Sequence, residues 1–193
     1  MAEPSVKRWT NDDLLALPEC DDHGWRLRYE IVDGELFVST SPRWEHQFAC
    51  AESTGELTLW NRRTGLGLVL VAPGLIFSRH DGVAPDLVWV SHDRFSAAVR
   101  DDGHLWGPPE LVVEVLSPGA ANERRDRQVK LGLYSRMGVD EYWLLDWRVR
   151  QVQVYCRQGE KLVLAATLGP SDTLDSPVLP GFAVEVSRLF PSR

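Results

Sequence analysis

Three features of this sequence predict an α/β fold built on a mixed sheet that is covered on both faces. Residues 111–116 are nearly all apolar, residues 141–146 are apolar between two end acids, and both are of strand length, as strands buried on both faces are. Residues 122–137, between them, carry helical periodicity, so the succession is strand, helix, strand. From Gln151 onward the chain alternates as further strands and turns, which predicts extra antiparallel strands at the C-terminal end. With 193 residues, 44% hydrophobic and 25% charged, the composition is that of an ordinary globular chain, and one domain over residues 1–193 is expected.

The elements follow in order. Residues 10–17 read as a short helix with Thr10 as N-cap, acids in the first turn and Pro18 closing it. Residues 29–32 and 36–38 flank Asp33 and Gly34, a pair that favours a tight hairpin. Ser41 followed by Pro42 predicts an N-cap and a first helical position, opening a helix to about Asn61 with one exposed face. Residues 68–71, 75–77, 86–90 and 111–116 read as strands separated by Gly, Pro and Asp. The helix over 122–137 is expected to start at Asn122, to align Val129, Leu133 and Met137 on one stripe, and to stop at Gly138.

Net charge is −7, the wrong sign for coating nucleic acid by bulk attraction, so any phosphate contact must be local. The densest basic segment is Arg124, Arg125, Arg127, Lys130 and Arg136, with Arg26 and Arg28, and Arg62 and Arg63, as smaller clusters. Three cysteines, Cys20, Cys50 and Cys156, lack C-x-x-C spacing, which argues against a zinc site and a disulfide framework. No apolar stretch suits a signal peptide or membrane span, so a cytoplasmic chain is expected.

The chemistry centres on Glu114, a lone acid inside an otherwise apolar strand. A carboxylate there has lost water and needs a cation or several hydrogen bonds. Asp86 follows Pro85 at the start of another buried strand, and neighbouring strands could bring the two acids together. Close carboxylates repel unless a divalent cation or a shared proton separates them, and hard oxygen ligands suit magnesium or manganese.

Four stretches, YEIVDGELFVSTSPRWEHQ, GVAPDLVWVS, PELVVEVLSPGAANERRDRQVKLGLYSRMGVDEYWLLD and SPVLPGF, together resemble the bacterial Uma-two family of the restriction-endonuclease-like PD-(D/E)XK superfamily. The likeness spans nearly the whole chain. It implies a restriction-endonuclease-like mixed sheet flanked by helices, and a magnesium-dependent endonuclease hydrolysing DNA, with manganese as the other candidate ion. Carried over by position, Asp86 is the acid of the Pro-Asp motif and Glu114 that of the Glu-x-Lys motif. This sequence departs from the motif at Leu116, where the lysine would stand. The resemblance points instead to Lys130 on the next helix, with Tyr134 one turn on along the same face. Glu30 matches the family's first acid, the Val115 carbonyl would complete a metal site with Asp86 and Glu114, and Arg124 and Arg127 would meet substrate phosphates. A homodimer with a surface from the tail strands is a further expectation, by analogy.

Plainer readings stand beside these. Lys130 is four residues after Asp126, the spacing of a surface ion pair, and Glu30 could merely accept hydrogen bonds at the hairpin. His23, His46, His80, His92 and His104 show no mutual ligand spacing and read as structural or solvent-facing. Ser117 precedes Pro118 and reads as a loop or capping residue rather than a nucleophile. Trp60, Trp89 and Trp143 are expected in the core, and Trp25, Trp44, Trp106 and Trp147 in or near loops. Two other function classes fit the same residues: a catalytically silent module that binds nucleic acid or protein, and a metal-free hydrolase using Asp86 and Glu114 as acid and base.

Overall fold

Five strands in the middle and tail of the chain join one early strand in a six-stranded sheet. The computed structural model describes residues 7–192; Met1–Val6, part of the opening read as carrying no signal peptide, lies outside the described residues. The strands are β3 (Gly67–Val71), β6 (Leu87–Ser91), β7 (Leu111–Val115), β8 (Glu141–Asp146), β9 (Gln151–Gln158) and β10 (Lys161–Leu168), in spatial order β10-β9-β8-β7-β6-β3. Only β7 and β8 run parallel, because the helical crossover between them returns the chain to the same edge. The sheet is therefore mixed, and the tail strands β9 and β10 extend it.

Alternation along β7 sends its side chains to two different cores. Leu111, Val113 and Val115 face a cluster closed by Trp60, Trp143, Phe182 and Phe190, under helix α2 (Trp44–Thr64) and the tail hairpin of β11 (Thr173–Asp175) and β12 (Ala183–Glu185). Val112 faces the opposite cluster, with Leu133, Tyr134, Tyr142 and Leu144. Glu114, two residues on from Val112, points to that second face, where the crossover helix packs.

A smaller sheet completes the second face. It orders β2 (Glu35–Ser39), β1 (Arg28–Val32), β5 (Asp81–Val83) and β4 (Leu75–Ser78), and Val32, Leu75 and Val83 deliver its apolar side to the core. Asp33 and Gly34 both have positive φ, 53° and 80°, the backbone of the tight turn that the Asp-Gly pair predicts. Short helix α1 (Asn11–Leu14) is capped by Thr10, whose side chain exchanges hydrogen bonds with Asp13.

Several elements differ from the sequence reading. Helix α2 begins at Trp44 rather than Pro42, with Arg43 in extended conformation at the N-cap and no side-chain cap. Strand β5 and helix α3 (His92–Ala98) were not anticipated; each is short, and apolar periodicity has little length in which to act. The crossover starts at Ala120, not Asn122, and is not one regular helix. It comprises α4 (Ala120–Arg124), a π-helical turn over Arg125–Lys130, and α5 (Leu131–Met137), which ends at Gly138 in the left-handed region. Trp60, Trp89 and Trp143 are buried, Trp25, Trp44 and Trp106 are exposed, and Trp147 donates to the Leu116 carbonyl at 3.0 Å. Among the described residues no helix is long and apolar enough to cross a membrane.

Candidate active site

Strand register brings the first two acids together. Leu87 pairs with Val113, so Asp86, one step before β6, stands across from Glu114. The Val115 amide donates to Asp86 Oδ2 at 2.9 Å and fixes the carboxylate against β7. His46 Nε2 lies 3.2 Å from the same oxygen, and Arg28 Nη1 is 3.4 Å from Oδ1. Burial pushes the Asp86 carboxyl up, but the His46 contact, Arg28 and the Val115 amide outweigh it and hold the pKa down at about 2.

Glu114 meets a cation from the crossover. Lys130 Nζ donates to Glu114 Oε1 at 2.9 Å and the Tyr134 hydroxyl donates to the same oxygen at 2.7 Å. Oε2 takes no hydrogen bond among the described residues. Burial pushes this carboxyl up; Lys130 opposes the shift, Asp86 and Glu30 add to it, and the pKa settles at about 7. One turn of helix separates Lys130 from Tyr134, so both reach down onto the buried acid.

Glu30 holds the other side of the ammonium. Its Oε1 is 2.8 Å from Lys130 Nζ and accepts the Ala84 amide at 2.9 Å. Burial pushes Glu30 up, yet Lys130, Arg28 and Arg125 outweigh it and keep its pKa below the ordinary value. Burial likewise works against the Lys130 charge, but Glu114, Glu30 and Asp126 overcome it and raise its pKa above the usual lysine value. Lys130 is 1% exposed, and Asp126, also buried, lies 4.0 Å from Nζ, so the surface ion pair that their spacing allowed is instead part of an interior network.

Glu30, Asp86, Glu114 and Lys130 line a cleft of about 270 Å³ together with Arg26, Arg28, His46, Val115, Ser117, Arg125 and the connection of residues 39–42. The structure revises the basic rim. Arg124 is exposed and lies outside the cleft, beside β2, and Arg127 is committed to Asp146 at 3.1 Å and Gln153 at 2.7 Å. Arg125 and Arg28 face the cleft in their place. The cause is the π turn, which puts residues five apart on one face, so Arg125 joins Lys130 and Arg127 rotates away.

Of the two readings of His46, the solvent-facing one is excluded, because the ring is buried at the cleft wall. Its Nδ1 faces Cys50 Sγ at 3.5 Å, and the four-residue spacing of the two in α2 was the sequence signal for that pair. Burial, with Asp86 and Glu114 nearby, pushes the Cys50 thiol up, so it stays protonated. The other four histidines lie outside the cleft, and Ser117 has no histidine hydrogen bond among the described residues.

The donors present fit a small hard cation. Glu114 has an oxygen without a hydrogen bond, Asp86 Oδ1 has only a long contact to Arg28, and both belong to one cleft. Carboxylates whose acidities are driven this far apart by their surroundings are a feature of functional sites.

The sequence profile of the Uma2 family, described as "putative restriction endonuclease", matches residues 12–187. A crystal structure of a "putative nuclease" from Anabaena variabilis ATCC 29413 has a TM-score of 0.71 at 18% identity, covering 94% of this chain and 97% of that one, a likeness of fold. The type IIG restriction endonuclease BpuSI aligns at a TM-score of 0.40 and 15% identity, over 75% of this chain and 14% of its own. No curated protein matches the chain. The α/β fold is thus restriction-endonuclease-like, the family description supports a nuclease function, and the chain belongs to the Uma2 family.

Proposed function

We propose that the chain is a divalent-metal-dependent endonuclease that hydrolyses phosphodiester bonds in DNA. The observation that carries this reading is the convergence of Asp86, Glu114, Glu30 and Lys130 in one cleft, with the lysine supplied by the crossover helix in place of Leu116. Asp86, Glu114 and the Val115 carbonyl would hold magnesium or manganese. The chemistry such an ion supplies when bound is polarisation of the phosphate and acidification of a water.

The chain's own groups divide the remaining work. Lys130 stays an ammonium, since its carboxylate neighbours raise its pKa, so it stabilises developing negative charge and is not a base for water. Glu30 and Tyr134 fix the positions of Lys130 and Glu114. Arg26, Arg28 and Arg125 offset the acidity of the cleft and would meet flanking phosphates, which a chain of net charge −7 can do only locally.

The test is incubation of purified protein with plasmid and single-stranded DNA, with magnesium or manganese and with chelator. Cleavage that requires the ion and vanishes in Glu114→Ala supports the reading; folded protein that binds DNA and never cuts it contradicts it. One observation favours a second reading. The pKa values of about 2 for Asp86 and about 7 for Glu114 would also suit a base and an acid acting without metal. Hydrolysis of glycosides that persists in chelator would select it.

A further inference from the structure

We propose that His46 is a nitrogen ligand of the ion held by Asp86 and Glu114, and that it makes the site prefer manganese to magnesium. The inference rests on the metal-dependent reading above and adds a ligand to it. His46 stands in the first turn of α2, on the opposite side of the sheet from Lys130, and its ring is buried where α2 passes the end of β6. Nε2 is 3.2 Å from Asp86 Oδ2. In octahedral coordination with bonds of about 2.1 Å, adjacent ligand atoms are about 3 Å apart, so this nitrogen and oxygen are spaced as neighbouring ligands of one ion, Oδ2 giving one lone pair to the Val115 amide and keeping the other for the ion.

Cys50 completes the arrangement without joining it. His46, Cys50 and Asp86 offer ligand atoms within 4.8 Å of one another. Asp86 and Cys50, however, sit at opposite ring nitrogens, Nε2 and Nδ1. An ion bound at Nε2 therefore leaves Cys50 Sγ as the partner of the Nδ1 proton, the role that an outer group plays beside a metal-bound histidine. The resulting donors are one imidazole and several oxygens. Magnesium demands oxygen ligands and gives up its waters reluctantly, whereas manganese, the larger and softer transition ion, accepts an imidazole more readily, so the added nitrogen favours manganese over magnesium. A histidine that only donated to Asp86 would give no such preference.

Electron spin echo spectroscopy of the full chain loaded with Mn2+ tests this directly, using native protein, protein with 15N-labelled histidine, and His46→Gln. The glutamine variant can still donate to Asp86, so it guards against simple misfolding, which circular dichroism checks. Expected are 14N couplings in the native protein that convert to 15N couplings on labelling and disappear in His46→Gln. Mn2+ affinity should fall on the order of tenfold or more in the variant, with Mg2+ affinity changing much less. Bound Mn2+ without nitrogen coupling, or coupling that survives in His46→Gln, overturns the inference and leaves the carboxylate site standing. Failure of native protein to bind Mn2+ stoichiometrically overturns the inference together with the reading on which it rests.

Discussion

Removing the Lys130 ammonium would leave Glu30 and Glu114 facing one another in the interior without their shared cation. Breaking a buried pair from one side costs about 3–5 kcal/mol, so Lys130→Met is expected to lose that much stability in urea titration as well as all cleavage. A loss below about 1 kcal/mol would show that the network is not what holds these acids. Protonation gives a second residue-level expectation. Glu114 titrates at about 7, above its ordinary 4.5, so between those values the folded chain holds a proton that the unfolded chain has released. Its contribution to stability therefore declines as pH rises from 4.5 to 7. Asp86 has the opposite sign: held at about 2 against an ordinary 3.8, it stabilises the fold above 3.8 and loses that contribution as pH falls through 2. Ion binding at pH 6 should then expel a proton from Glu114, seen calorimetrically as a dependence of binding heat on the buffer's ionisation enthalpy, and the release should fade by pH 8. Buffer-independent heats at pH 6 would contradict it. Glu114 was legible in the sequence because an acid in an apolar strand demands a partner. His46 was not, because its partner Asp86 is 40 residues away and no local spacing signals the contact.

The crossover between β7 and β8 is the element that turns a sequence motif into a site. Its basic residues, its stop at Gly138 and its buried stripe were readable from periodicity, and Leu133 is buried as expected. The π turn was not, since the four-residue spacing of Val129, Leu133 and Met137 fits a regular α-helix and leaves no mark of the widened turn. It decides which arginine faces the cleft: Arg125 and Lys130, five apart, share a face, and the Tyr142 hydroxyl donates to the Asp126 carbonyl within the turn at 3.0 Å. Deleting the exposed Gln128 should convert the turn to ordinary α-helix. Arg125 and Lys130 would then stand four apart and still share a face, so helix content by circular dichroism and ion-dependent cleavage are both expected to persist. Loss of cleavage with unchanged helix content would show that the extra residue itself serves the site.

At the scale of the whole molecule, the six-stranded sheet separates the two sides from which the site is assembled. Lys130 and Tyr134 approach on one face, His46 arrives from the helix on the other, and the acids stand at the strand ends between them. The tail reinforces that frame at a distance. Phe182 packs against Trp60 and Trp143, and Ser176 donates to the buried Glu141 carboxylate at 2.8 Å, with the Trp143 indole donating to the same group. Phe182→Ala is expected to cost about 3–5 kcal/mol by urea denaturation while leaving ion affinity intact in the folded fraction. The mixed sheet and its C-terminal extension could be read from apolar strand runs, because burial on both faces leaves a plain compositional mark. The second, smaller sheet could not, because β5 spans only Asp81–Val83 and its pairing with β1 is long-range. On the proposed reading, the ends of β6 and β7 and the crossover helix build one cation site. The most direct measurement is anomalous diffraction from a crystal soaked in manganese. A single strong peak between the carboxylates of Asp86 and Glu114 is the expected result. A fully soaked crystal with no peak there, or with manganese only elsewhere on the surface, would contradict it.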